Sequence, residues 1–171
     1  LATVAFGHGI ATTLLQLSKG YSIISNGGYE ITPTLLKKKK LQRQRILNEN
    51  LSETINPILR KIVSTKEGTA GFANVNGYEI GGKTGTADQP SKGGYSKKKI
   101  NTFASVFPTS NPKFVLSVML DEPKANREFV YHYRDDRYPY KGNWRNTAGW
   151  TTVWVTGQIM DKIGPILATK Y

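Results

Sequence analysis

Gly77-Tyr78-Glu79-Ile80-Gly81-Gly82-Lys83-Thr84-Gly85-Thr86-Ala87 carries the most distinctive order of residues in this chain. Tyr78 to Ala87 reads as a strand, weakened by three glycines that let another backbone or a ligand come close. Within it, Gly82-Lys83-Thr84-Gly85-Thr86 sets an ammonium and two hydroxyls near an edge, a combination that binds a carboxylate. Glycine lets an extended peptide lie flat along such a strand, with its anionic end at Lys83. An exposed lysine and threonines on an ordinary strand are the alternative at this point.

Downstream, Thr102 to Phe107 and Lys113 to Leu120 are rich in Phe and Val, and Pro108-Thr109-Ser110-Asn111-Pro112 between them is turn chemistry, so a hairpin is expected. The second strand is apolar on both faces, which places it centrally with helices over the sheet. Upstream, Thr13 and Gln16 have capping-box spacing. Leu14, Leu17, Tyr21 and Ile24 recur at helical intervals until Asn26-Gly27-Gly28. Ile31 to Leu36 reads as extended chain, and Lys37 to Lys40 with Gln42 to Asn50 as an exposed connection. Ile55, Ile58, Leu59, Ile62 and Val63 mark a helix with Asn56 as cap and Pro57 in its first turn. Trp150, Val153, Trp154, Gly157, Met160 and Gly164 line a last helix that Pro165 is expected to stop. Ala125 to Asn146 fits neither period and reads as a long surface excursion, mixing tyrosines and Trp144 with Arg and Lys.

At 171 residues and 38% hydrophobic content, the chain suits a single domain. Absence of Cys excludes a disulfide framework and thiolate metal sites. No apolar run is long enough to span a membrane, and Leu1 opens without a signal segment, which suggests a fragment. The formal charge of +12 favours polyanions or an anionic surface. His132 has only Asp135 and Asp136 nearby, a poor metal set, and no cofactor is expected.

Several segments resemble, in order, the class B penicillin-binding proteins, and in particular the septal peptidoglycan D,D-transpeptidase of cell division. They are Thr3 to Gly9, Leu15-Gln16-Leu17, Asn26-Gly27-Gly28, Glu67-Gly68-Thr69, Gly77 to Ala87 and Met119-Leu120-Asp121-Glu122-Pro123. The resemblance runs from about Thr3 to Ile166. It implies an α+β serine-acyltransferase fold, with residues 1–171 forming the C-terminal portion of its transpeptidase domain and about 125–146 an insertion. It further implies three antiparallel strands with helices packed on them, and an unpaired edge at Lys113 to Leu120 where the family sheet takes strands from earlier sequence. His8, between Gly7 and Gly9, matches a structural turn rather than a catalytic group.

By the same resemblance, Lys83 keeps the pocket positive and orients the substrate, as the first of two catalytic positions. Thr84 and Thr86 hold the terminal carboxylate of a D-Ala-D-Ala stem peptide, or of a β-lactam, beside Gly85. The Thr86 backbone N–H, the second catalytic position, supplies half of an oxyanion hole. The expected setting is the periplasmic face of the bacterial inner membrane, with the N-terminal remainder of the enzyme and other division proteins as partners. The family also needs Ser-x-x-Lys and Ser-x-Asn ahead of Lys-Thr-Gly. Ser-x-Asn does not occur, and the strings Ser96 to Lys99 and Ser110 to Lys113 come too late, in a lysine-rich loop and across a Pro turn. A basic nucleic-acid-binding module is the alternative function; it accounts for the charge and the interleaved aromatics but for none of the ordered motifs.

Without a nucleophile in its proper context, the 171-residue chain incubated alone with a fluorescent penicillin is expected to acquire no covalent label. A labelled band on a denaturing gel would overturn that expectation.

Overall fold

Thr13 accepts the backbone N–H of Gln16 while the Gln16 side chain accepts the N–H of Thr13, and this closed capping box starts helix α1, Leu14–Ser25. The computed structural model to which it belongs describes residues 4–7, 9–37, 43–132, 140–141 and 145–170. His8 and the tetralysine from residue 38 onward lie outside the described residues, as do Tyr133 to Pro139 and Gly142 to Trp144.

Helix α2 spans Asn50–Ser64, so it begins six residues earlier than Asn56. The expected cap at Asn56 and first-turn place for Pro57 are both overturned. Ser52, Asn56, Leu59 and Val63 form the buried stripe of α2. Its two polar members serve the neighbouring helix. Asn56 Nδ2 donates to the Ser25 carbonyl at 3.2 Å, and Ser52 Oγ donates to the Ile24 carbonyl at 2.7 Å while accepting the Gly27 N–H at 2.8 Å. The carbonyls that α1 leaves over at its end are thus satisfied from α2. Pro57 is tolerated mid-helix because it and Glu53, whose carbonyl it cannot serve, both face solvent.

Three strands follow: β1 Gly81–Ser91, β2 Gly94–Phe107 and β3 Phe114–Asp121, antiparallel in the order β1-β2-β3. The α+β architecture with three antiparallel strands is therefore as expected, and the β2–β3 hairpin turns through Pro108 to Lys113. The central strand, however, is β2; β3 is flanked on one side only among the described residues. Its two apolar faces are covered by helices on both sides of the sheet. The first two strands also run further than expected, joined by the turn Lys92-Gly93 with Gly93 at φ +85°. Ser96 to Lys99 therefore belongs to β2 and not to a loop.

Register assigns the faces. Ser117 pairs with Ala104 and Ala104 with Lys83, and α1 covers this side through a Ser18–Ser117 hydroxyl contact of 2.8 Å. The other side carries Asn101, Phe103, Ser105 and Phe107 under α3, Thr152–Lys170. Val63, Ile80, Phe103, Val153 and Met160 are fully buried in one cluster there. Each such side chain contributes roughly 1.5–3 kcal/mol by leaving water. Pro165 lies inside α3 instead of ending it, again on an exposed turn, and Trp150 sits ahead of the helix in a 3-10 turn, Ala148–Trp150. A small ladder, β4 Val130–Tyr131 with β5 Tyr140–Lys141, occupies the stretch expected to be a surface excursion. Tyr131 in that stretch is buried.

The free edge of β3 and the half-exposed Met119 on its face invite pairing with another chain. By sedimentation the isolated 171-residue chain should form dimers or larger species, reduced by Met119→Lys; a stable monomer would count against this.

Candidate functional site

Lys83, Thr84, Gly85 and Thr86 sit consecutively in β1, opposite Ala104, Phe103, Thr102 and Asn101 of β2. Alternation puts Lys83 and Gly85 on the α1 face and both threonines on the α3 face. A Cβ at Gly85 would come within 2.5 Å of Thr102 Oγ1, so a side chain there would have to displace that hydroxyl. Like β3, strand β1 is paired on one side only among the described residues, which leaves a backbone edge open to an extended ligand.

The polar groups keep unused donors. Lys83 Nζ donates to the Thr84 carbonyl at 2.9 Å, which folds the ammonium along the strand and leaves two of its protons for a ligand. Thr84 and Thr69 face each other at 3.1 Å between hydroxyl oxygens, so one hydroxyl donates to the other and the second keeps its proton. Thr86 Oγ1 accepts the backbone N–H of Ala148 at 3.0 Å, which leaves its own O–H to donate. Lys83 and Thr86 are exposed and Thr84 is half-buried. An anion placed along this edge meets an ammonium and hydroxyl protons, with no carboxylate among these residues.

Two parts of this arrangement are not evident in the motif. Thr69, from Glu67-Gly68-Thr69, reaches β1 because the turn after α2 is tightly folded: a Cβ at Gly68 would lie 2.1 Å from the Ile62 carbonyl oxygen. Asn101 is fully buried opposite Thr86, and its Nδ2 donates to the Asn146 carbonyl at 2.6 Å and to Thr151 Oγ1 at 2.8 Å. That grip brings Ala148 over Thr86. Its signal in the sequence is a polar residue in register with Phe103, Ser105 and Phe107 on the covered side of a strand.

Beside Thr69 a cleft of about 280 Å³ is lined by Lys66, Gly68, Phe72, Arg145, Gly149 and Trp150 among others. The Arg145 guanidinium stacks 3.7 Å from the Trp150 ring centroid. Beneath them Tyr131 meets Phe72 at 5.3 Å and Trp150 at 5.2 Å between centroids, and burial pushes its phenol above the ordinary range. On the far side, the ribbon beyond Thr86 is tied to the end of β3. Lys98 donates to Glu122 at 2.7 Å, which raises the Lys98 ammonium, Lys99 meets Asp88 at 2.8 Å, and Gln89 bonds Asp121.

The two Ser-x-x-Lys strings are not brought to the site as a helix start. Ser96 lies in β2, where its hydroxyl accepts the Lys98 N–H, and Ser110 lies in the β2–β3 turn, where it donates to Glu79. That contact and the Ser110 N–H hold the Glu79 carboxyl below its ordinary range. His132 is exposed; its conjectured co-ligands Asp135 and Asp136 lie outside the described residues.

The family model for the penicillin-binding protein transpeptidase domain matches residues 1–137. A probable peptidoglycan D,D-transpeptidase FtsI of Caulobacter vibrioides is 30% identical over 99% of this chain and 28% of its own length. The stage V sporulation protein D of Bacillus subtilis is 33% identical over 75% of this chain and 22% of its own. The chain thus spans about a quarter of these relatives. Among solved structures, the transpeptidase domain of Burkholderia pseudomallei penicillin-binding protein 3 superposes with a TM-score of 0.74 at 25% identity, covering 96% of this chain and 46% of that one. Penicillin-binding protein 3 of Mycobacterium tuberculosis in complex with ampicillin gives 0.70 at 26% identity, covering 95% and 37%. The nucleic-acid reading has no counterpart among these matches.

Thr86→Val removes the acceptor from the Ala148 N–H while keeping the strand's shape. Losing one such bond costs about 1 kcal/mol, so the Ala148 amide should exchange with deuterium roughly fivefold faster, the Phe103 amide staying protected. Unchanged Ala148 protection would show that Thr86 does not hold this segment.

Proposed function

The chain belongs to the penicillin-binding protein transpeptidase family, and from that membership we propose that it forms the substrate-binding wall of a peptidoglycan D,D-transpeptidase. The observation that carries the proposal is the placement along one open strand edge of the Lys83 ammonium, folded onto the Thr84 carbonyl, and of the Thr69, Thr84 and Thr86 hydroxyls. A D-Ala-D-Ala stem peptide adds along β1, with Gly85 giving its backbone room. Its terminal carboxylate takes charge-assisted hydrogen bonds from Lys83, Thr84 and Thr86. A β-lactam presents the same carboxylate beside a strained amide and occupies the same place.

The reaction is acyl transfer through a serine ester. Serine attacks the carbonyl of the penultimate D-Ala, the terminal D-Ala leaves as an amine, and the amine of a second stem peptide then takes the acyl group. The Thr86 N–H stabilises the oxyanion formed in both steps, a term worth about 3–4 kcal/mol per donor. Lys83 acts on the same side by keeping the site positive. The serine and its lysine base come from a Ser-x-x-Lys element, which this sequence does not contain in that context. The working location is the periplasmic face of the inner membrane, in company with other division proteins. No helix among the described residues is long and apolar enough to cross a membrane.

The test is to splice the chain onto the preceding segment of the Caulobacter vibrioides relative, bearing Ser-x-x-Lys and Ser-x-Asn. The spliced enzyme should label covalently with fluorescent penicillin. Lys83→Ala should lower the second-order acylation rate about ten- to a hundredfold, the loss of one charge-assisted contact in the transition state. A folded splice that takes no label, or one indifferent to Lys83, would refute the assignment.

A further inference from the structure

A second concavity lies on the α3 side, reached from the cleft beside Thr69 across Phe72, which lines both. It measures about 450 Å³, with Phe72, Tyr78 and Trp154 contributing aromatic surface and Asn74, Asn76, His132, Gln158 and Asp161 contributing polar groups. Trp154 is held in place by Phe129, edge to face at 5.0 Å, so one wall of the groove is rigid. Asn76, Gln158, Asp161 and His132 are exposed. Asn74 Oδ1 already accepts from Arg60 at 2.9 Å, which fixes that amide and turns its Nδ2 donors to other use.

The charge of this groove is the opposite of what the composition leads one to expect. With 24 Lys and Arg in 171 residues, an average surface hollow should contain a cation, yet no Lys or Arg is among the described residues that line it, and Asp161 is. Arg60 meets it only through Asn74. An anionic ligand meets no Lys or Arg among the described residues here, whereas the Thr69 cleft next to it has Lys66 and Arg145. Aromatic faces with amide and carboxylate neighbours match an uncharged molecule whose apolar C–H faces alternate with a rim of hydroxyls and acetamides.

We propose that this groove binds the glycan strand of the polymer whose stem peptides lie along β1, as a run of β-linked N-acetylated amino sugars. Pyranose faces stack on Trp154 and Tyr78, and Asn76, Gln158 and Asp161 take the hydroxyl and acetamide groups. The identity of the glycan rests on the transpeptidase reading above. Phe72 lines both hollows, so they are neighbours, and sugar and peptide portions of one substrate can be held side by side.

The probe is N,N′,N″-triacetylchitotriose, a soluble β-1,4-linked trimer, titrated into the 171-residue chain with tryptophan fluorescence and calorimetry as readouts. Saturable binding in the millimolar range or tighter is expected. Asn76→Ala and Gln158→Ala, both on exposed positions, should each weaken it roughly three- to tenfold, one hydrogen bond apiece. Trp154→Phe keeps an aromatic ring against Phe129 but narrows the stacking surface, and should weaken binding while leaving far-ultraviolet circular dichroism unchanged. Lys83→Ala should leave sugar affinity unaltered. No saturable response up to about 10 mM sugar, a dissociation constant beyond useful affinity, would overturn the proposal. So would affinities indifferent to Asn76, Gln158 and Trp154, or quenching by a proline-rich peptide in place of the sugar. Penicillin labelling of the spliced enzyme reports separately: labelling without sugar binding refutes the glycan groove alone, and sugar binding without labelling refutes the transpeptidase assignment.

Discussion

The start of β1 has no room for side chains, and the rest of the fold is arranged around that fact. A Cβ at Gly81 would lie 2.8 Å from the Arg60 nitrogen and 2.9 Å from the Leu59 carbonyl carbon, so α2 rests with its backbone on the strand. On the opposite face a Cβ at Gly82 would lie 2.7 Å from the ring of Phe103. Helix and ring therefore clamp the strand from both sides, and the buried cluster of Val63, Ile80, Phe103 and Met160 closes next to it. Immediately beyond the clamp come Lys83 to Thr86. Their polar groups are displayed from a segment whose backbone is immobilised by its own bareness, as a binding wall requires.

The polar apparatus at this wall is built from backbone and hydroxyl contacts more than from ion pairs. Thr69 steadies Thr84, Ala148 steadies Thr86, and Asn101 secures the stretch that carries Ala148. Carboxylates stand further off: Asp88, Asp121 and Glu122 engage Lys99, Gln89 and Lys98 along the ribbon. The Lys83 ammonium thus has no ion-pair partner among the described residues, and these acids are engaged in holding the sheet's corner.

Much of this was legible from residue order. The capping box at Thr13 and Gln16, the β2–β3 hairpin and the strand at Lys83 all depend on local chemistry and are present, although β1 starts at Gly81 and not Tyr78 and β2 starts at Gly94 and not Thr102. Pro57 and Pro165 misled because a proline reads as a helix boundary unless one knows that its unpaired carbonyl partner faces water, which is a tertiary fact. The roles of Thr69 and Asn101 were invisible for a similar reason, since their partners lie 15 and 50 positions further along the chain. The aromatic character of Phe129 and Tyr131 was plain, but not that Tyr131 turns inward among Phe72 and Trp150.

Asn101 and the corner at Glu122 have one more consequence, for how such chains diverge. They secure the two ends of the stretch from Pro123 to Asn146: Glu122 through Lys98 and the Lys99 carbonyl, Asn146 through the Asn101 amide. Because closing a loop grows costlier only with the logarithm of its length, extra residues in that connection add little cost so long as Phe129, Tyr131 and Arg145 keep their contacts with Phe72, Trp150 and Trp154. The length of that connection can therefore change without shifting Asn146, which Asn101 holds, or the Ala148 amide that meets Thr86.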